Sequence, residues 1–194
     1  MGAKLNRLAG WMSLLALLVA PAQSIMAEGN GILWEALRSG GHVALLRHAV
    51  APGTGDPPEF ALGDCASQRN LSDEGREQAQ RIGARFRANG IERAAVFSSQ
   101  WCRCHETATL LDLGLVTELP LLNSFFQDYE RREPQTQQLR QWIAERDTSE
   151  PLVLVTHYVN IAALTRVRPG SGELVVVRLN EAGEISVLGS IRTD

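Results

Sequence analysis

Three short apolar runs, each ending in hydrogen-bonding side chains, constrain this chain more than any other feature. His42–Leu46 (HVALL) delivers Arg47 and His48, Ala94–Phe97 (AAVF) delivers Ser98 and Ser99, and Leu152–Val155 (LVLV) delivers Thr156 and His157. Short apolar runs without alternation read as strands buried on both faces, the pattern of a parallel sheet covered by helices. Helical periodicity surrounds them. Ile32, Leu33, Trp34 and Leu37 form one stripe that stops at Gly40-Gly41. Ser72 caps a second helix, with Asp73 and Glu74 in its first turn, Ala79, Ile82, Gly83 and Phe86 as its stripe, and Gly90 as its stop. A third starts near Gln100 and carries Arg103, Glu106 and Leu110, and Pro134 opens a fourth with Leu139, Trp142 and Ile143 turned inward. Ile161–Leu164 read as a helix after the last run, and Leu174–Leu179 with Ile185–Leu188 as a hairpin around Glu181–Glu184. Residues 114–133 are irregular apart from a short strand around Glu118–Leu122, and residues 51–70 are a Gly-, Pro- and Asp-rich loop long enough to be functional. This alternation predicts the α/β class, a three-layer α/β/α sandwich with a mostly parallel central sheet. Its site belongs beyond the carboxyl ends of the strands.

The first 27 residues read as a leader rather than as fold. Lys4 and Arg7 precede the apolar run Trp11–Ala20, and small residues follow, with cleavage after Ala27 or Ala22. Pro21, Gln23 and Ser24 cut the run short of the roughly 20 residues a membrane span needs. The expected product is a single domain over residues 28–194, without a membrane span and periplasmic or secreted. Losing residues 1–27 removes Lys4, Arg7 and no carboxylate, so a formal charge of −3 becomes −5. That balance argues against general nucleic-acid binding. With 44% hydrophobic and 21% charged residues, the chain is too apolar for wholesale disorder.

The chemistry follows from the residues at the strand ends. Arg47, Arg103, His48 and His157 meeting at one rim create a positive potential that an anion must offset. A guanidinium fork matches a phosphoryl group through paired, charge-assisted hydrogen bonds. A neutral imidazole attacks phosphorus to give a phosphohistidine, which water hydrolyses. The second histidine and the arginines hold the equatorial oxygens. No cofactor and no metal is expected, since cationic side chains fill that role.

The motifs resemble a known family. Leu45-Leu46-Arg47-His48-Ala49 is similar to the Arg-His-Gly signature of the histidine phosphatase superfamily, which includes phosphoglycerate mutases and phosphohistidine phosphatases. Leu71–Ala79 resembles the helix that follows it, Ser98–Ala108 the block carrying the second arginine, and Val153–His157 the strand of the second histidine. The resemblance spans roughly residues 42–165. It implies a phosphoglycerate mutase-like fold, His48 as nucleophile, and Arg47, Arg103 and His157 as the phosphate pocket. Two positions depart from the pattern. Ala49 replaces the usual glycine. The proton donor is displaced: Ser124 stands where mutase-like relatives carry glutamate, and Tyr158 where the acid-phosphatase branch carries aspartate. Asp128 is the candidate replacement, with Glu130, Glu133 or no side-chain acid as alternatives. Glu106 is read as an orienting partner for an arginine. A phosphoramidate or other good leaving group needs little acid help.

The remaining notable residues have bland readings. His42 and His105 are taken as structural or exposed, and Trp34 and Trp142 as core. Arg131 and Arg132 either touch an anionic substrate or form a solvated pair, and Phe125 and Phe126 either floor the pocket or pack beneath it. Cys102 and Cys104 lie about 200° apart around a helix, so only one can face Cys65. Cys65–Cys102 with Cys104 buried and free is the favoured pairing for an exported chain, against three reduced thiols. The expected function is a metal-independent phosphatase acting on phosphomonoesters or phosphoramidates. The substrate is a phosphorylated small molecule, an envelope phosphate or a phosphohistidine protein. A catalytically silent phosphate-binding or sensing module is the alternative, and a mutase is disfavoured by the short segment from Cys104 to Thr156.

Overall fold

The computed structural model describes residues 22–180 and 184–193, so the expected leader lies outside it over residues 1–21, as do Glu181–Gly183 of the hairpin turn. In chain order the elements are α1 (Ala22–Arg38), β1 (Val43–Arg47), α2 (Asp73–Ala88), β2 (Ala95–Ser98), α3 (Cys102–Leu110), β3 (Val116–Glu118), α4 (Arg132–Ala144), β4 (Leu152–Thr156), α5 (Tyr158–Thr165), β5 (Leu174–Leu179) and β6 (Ile185–Ile191). The three apolar runs become β1, β2 and β4, and they lie side by side in a six-stranded sheet of order β3-β2-β4-β1-β5-β6. β4 pairs in parallel with both β1 and β2, and β2 with β3. β5 runs against the rest, pairing antiparallel with β1 on one side and with β6 on the other.

Each face of the sheet buries its own core, which is why β1 and β4 read as continuous apolar runs. On one face Ala44, Leu46, Val153, Val155 and Val176 pack against Trp34 and Leu37 of α1, Ile82 and Phe86 of α2, and Cys104 and Ala108 of α3. On the other, Val43, Leu45, Leu152, Leu154 and Val177 pack against Leu139 and Ile143 of α4 and Ile161 and Leu164 of α5. This is the three-layer sandwich, and Trp34 is core as expected. Trp142 is only partly buried, set edge-on to Phe97 with ring centroids 4.8 Å apart.

Three boundaries differ from the sequence reading, each for a local reason. The strand expected around Glu118–Leu122 ends at Glu118, because Pro120 lacks an N–H for the ladder and opens a 3-10 turn instead. Helix α4 starts at Arg132, two residues before Pro134, whose missing N–H still falls in the first turn where none is needed. Strand β6 continues past Leu188 to Ile191, because a bulge opposite Val176/Val177 absorbs one residue and Gly189 leaves room for the Leu33 side chain of α1.

One glycine fixes how the chain leaves β1. A Cβ on Gly75, in the first turn of α2, would sit 2.0 Å from the Val50 carbonyl oxygen. Ser72 caps that helix through Gly75 N–H, and its own N–H donates to the same carbonyl at 3.1 Å. The residues following His48 are thereby held against the start of α2.

Candidate active site

The carboxyl ends of β1, β2 and β4 open into a cavity of about 490 Å³. It brings together all five residues singled out from the sequence: Arg47, His48, Arg103, Asp128 and His157. Strand β1 carries the first pair to the rim, where the His48 N–H donates to the Thr156 carbonyl of β4 at 3.0 Å. Arg103 comes from the first turn of α3, and His157 is the residue from which α5 starts.

His48 is buried, and its Nδ1 lies 2.8 Å from the carbonyl oxygen of Ala49. A carbonyl only accepts, so Nδ1 carries the proton and Nε2 keeps its lone pair. Burial, then the positive charge of Arg103, pushes the imidazole pKa down to about 3. The ring is therefore neutral across the physiological range. Ala49, the departure from glycine, is fully buried, and its N–H donates to Thr107 Oγ1 of α3 at 3.1 Å.

The ring of His157 lies 5.5 Å from that of His48, inclined at 68°. Its Nε2 is 2.9 Å from Ser99 Oγ, whose hydroxyl donates to Asn123 Oδ1 at 3.2 Å. With the hydroxyl proton so committed, Nε2–H is the donor to Ser99 and Nδ1 is left as an acceptor, 3.5 Å from Arg103 Nη2. Burial, and after it the neighbouring His48 and Arg103, keep His157 neutral as well. The Cys104 thiol packs 3.4 Å from its Nε2, and burial pushes that thiol up to about 12. Cys65 and Cys102 form a disulfide and Cys104 stays free and buried, the favoured pairing.

Two residues that the sequence did not single out complete the cavity. Arg69 lines it and donates to the carbonyl oxygens of Gly55, at 2.8 Å, and Ala51. Asp56, with its side chain only 8% exposed, holds Arg103 in a two-pronged ion pair, Nη1 to Oδ1 at 2.7 Å and Nη2 to Oδ2 at 3.1 Å. Burial works to raise the Asp56 pKa, but the hydrogen bonds and charge of Arg103 outweigh it and hold the carboxyl below its usual value. Both residues lie in the loop 51–70, flagged as functional by its length alone. A Gly-Asp-Pro step reads as turn chemistry, so nothing local marked Asp56 as a partner of Arg103, 47 residues away. Burial, foremost, lowers the pKa of Arg47 and of Arg69, and the charge of Arg103 adds to it. Arg47 Nη1 donates to the Pro169 carbonyl at 2.9 Å, and its guanidinium lies 5.6 Å from the centre of the Tyr158 ring. Arg47 Nε and Arg103 Nε are buried without an acceptor, which desolvated donors tolerate poorly.

The remaining residues sort by position. Asp128 stands at the cavity mouth, half exposed, with Oδ2 4.0 Å from Arg131 Nε. Ser124, Tyr158 and Arg131 also line the cavity, whereas Glu130, Glu133 and Arg132 do not. Phe126 lines it, 40% exposed, while Phe125 is buried beneath. Phe60 stacks on Trp101 at 4.9 Å, and Trp101 meets the His157 ring edge-on, giving one wall of aromatic rings. Glu106 does orient an arginine, but it is Arg76 of α2, at 2.6 Å, and not a cavity residue. His42 is half-buried, bonded to the Gly40 carbonyl, and His105 lies outside the cavity. Among the described residues, no group of three or more His, Cys, Asp or Glu side chains is placed to hold a metal ion.

A central sheet with helices on both faces, carrying Arg-His at the end of one middle strand and a histidine at the end of its neighbour, defines the phosphoglycerate mutase-like α/β class. The family model of the histidine phosphatase superfamily (branch 1) matches residues 43–125. Over that segment the chain is similar to the histidine phosphatase superfamily. Solved structures share the fold. The protein histidine phosphatase SixA, complexed with tungstate, is 17% identical over 78% of this chain and 97% of its own, with a TM-score of 0.56. A phosphoserine phosphatase from Entamoeba histolytica, in complex with 3-phosphoglyceric acid, is 14% identical over 79% and 98%, with a TM-score of 0.55. The mycobacterial glucosyl-3-phosphoglycerate phosphatase is 16% identical over 75% and 96%, with a TM-score of 0.53. No curated protein sequence matches the chain.

Proposed function

We propose that the chain is a metal-independent phosphatase that passes the phosphoryl group of a phosphomonoester or phosphoramidate through His48. The observation that carries this reading is the neutral imidazole of His48, its proton held on Nδ1 by the Ala49 carbonyl, in a cavity lined by Arg47, Arg69 and Arg103. In the first step Nε2 bonds to phosphorus as the bond to the leaving group breaks, and the leaving group takes up a proton. In the second, water attacks phosphorus, the N–P bond breaks, and orthophosphate and neutral His48 return. The guanidinium groups hold the charge that the transition state spreads over the equatorial oxygens, with His157 beside them.

A cavity of about 490 Å³ falls in the range that encloses a drug-sized ligand, so the leaving group has room beside the phosphoryl site. Phe60, Trp101 and Phe126, which all line the cavity, suit a leaving group with an apolar face. Purified protein should release phosphate from such substrates with its rate unchanged by EDTA, and vanadate should inhibit as a mimic of five-coordinate phosphorus. Activity lost to chelation and restored by a metal would reassign the chemistry. Vanadate binding without turnover on any substrate would instead establish the silent phosphate-binding module.

Asp128 is proposed as the general acid, from its place at the cavity mouth. Asp128→Asn should slow alkyl phosphates by about 10²-fold and aryl phosphates or phosphoramidates far less, because only the alkoxide needs a proton to leave. An equal, small loss on both would remove Asp128 from the chemistry.

The reading includes an exported protein cleaved from its leader at residue 27. The Cys65–Cys102 disulfide supports an oxidising compartment. Among the described residues, no helix is long and apolar enough to cross a membrane.

A further inference from the structure

Asp56 is a buried carboxylate inside an anion site, and the proposed chemistry so far gives it no part. Its surroundings are those of an anchored group. Oδ1 accepts from Arg103 Nη1 at 2.7 Å and from the Arg69 N–H at 3.2 Å; Oδ2 accepts from Arg103 Nη2 at 3.1 Å and from Trp101 Nε1 at 3.0 Å. The loop that carries it is fastened beyond those bonds. Phe60 stacks on Trp101, and the Cys65–Cys102 disulfide joins the loop to the first residue of α3, one position before Arg103. A carboxylate meant to swing aside when phosphate arrives would not be held by four hydrogen bonds from three residues.

The charge count points the same way. Arg47, Arg69, Arg103 and Arg131 line the cavity with Asp56 and Asp128. Asp128 lies against Arg131 at the mouth, so the inner cavity holds three guanidinium groups and one carboxylate. The two positive charges that remain match a phosphoryl dianion with Asp56 left in place.

We propose that Asp56 is a positioning residue: it grips both terminal nitrogens of Arg103, fixes that guanidinium beside His48 and His157, and trims the pocket to the charge of a phosphoryl dianion. The assignment rests on the phosphatase reading for its chemistry, but not for its geometry. A fixed guanidinium matters most in the transition state, where charge moves onto the equatorial oxygens and a loose donor must first be reoriented. Ground-state anion binding is less demanding, and removing a negative charge favours it.

The test uses Asp56→Asn, which keeps the shape of the side chain, in the full-length protein and in an Arg103→Ala background. In the otherwise unchanged protein, kcat should fall about 10²-fold, with vanadate affinity reduced in step, while orthophosphate binds as tightly as before or more tightly. In the Arg103→Ala background the same substitution should cost nothing further, since a residue that acts through Arg103 has no second route. Three results would overturn the proposal. Faster turnover in Asp56→Asn would make the carboxylate a plug that substrate displaces. A loss of the same size with and without Arg103 would make Asp56 independent of it. Loss of orthophosphate and vanadate binding together would make it a residue of the fold. Vanadate and orthophosphate titrations need no turnover, so they still decide the role of Asp56 if the wild type hydrolyses nothing and the phosphatase reading fails.

Discussion

His48→Ala should lower phosphatase turnover by at least about 10⁴-fold, because the substitution removes the atom to which phosphorus bonds and leaves only the electrostatic pocket. The fold should survive. His48 lies past the end of β1, and the strand pairing of Val43–Arg47 with β4 does not use its side chain. A second signature follows from its burial. The imidazole is held neutral in the folded protein, with a pKa of about 3, while in the unfolded chain it binds a proton near pH 6.5. Below pH 6.5 the unfolded state therefore takes up the proton first, and folding loses about 1.4 kcal/mol per pH unit from this residue until about pH 3. His157 is depressed in the same direction. The alanine variant has one buried imidazole fewer, so urea unfolding followed from pH 7 to pH 4 should show its stability falling less steeply than that of the wild type. Parallel slopes would mean that His48 is not desolvated, and a variant that retains turnover that it is not the nucleophile.

Arg103→Lys keeps the charge and should still cost about 10²- to 10³-fold in kcat/KM. The guanidinium uses two terminal nitrogens at once, both of them on Asp56, with one reaching the Arg69 carbonyl at 3.2 Å and the other lying 3.5 Å from His157 Nδ1. An ammonium is a single point with three donors and cannot span both carboxylate oxygens while facing a phosphoryl group. Competitive inhibition by orthophosphate should weaken less than turnover, since a point charge still attracts the ground-state anion. A lysine variant with wild-type kinetics would place Arg103 outside the chemistry.

The sequence shows some of this architecture and hides the rest, for physical reasons. Strands β1 and β4 are legible because both faces are buried, which leaves no polar residue to interrupt Val43–Leu46 or Leu152–Val155. Arg47, His48 and His157 are legible because they follow directly on those strands, and strand ends are where an α/β sheet presents its site. The end of β3 and the length of β6 turn on Pro120 and on a bulge opposite Val176, which only pairing partners reveal. Asp56 was invisible for a different reason. A carboxylate in a Gly-Asp-Pro turn has a local explanation, and its burial exists only once α3 brings Arg103 across the loop. Glu106 shows the converse: its role as an arginine's partner was readable, but which arginine was not, because Arg76 becomes its neighbour only when α2 and α3 pack together.

The claim on which the account depends is that phosphorus bonds covalently to His48. Rapid quenching of the wild-type protein during the first turnover of a radiolabelled substrate, followed by peptide mapping, tests it directly. The account predicts an acid-labile, base-stable label that appears before free phosphate and maps to the peptide containing His48. Label that survives acid, label on any other residue, or a first turnover that releases phosphate with no protein-bound label at any quench time would contradict it.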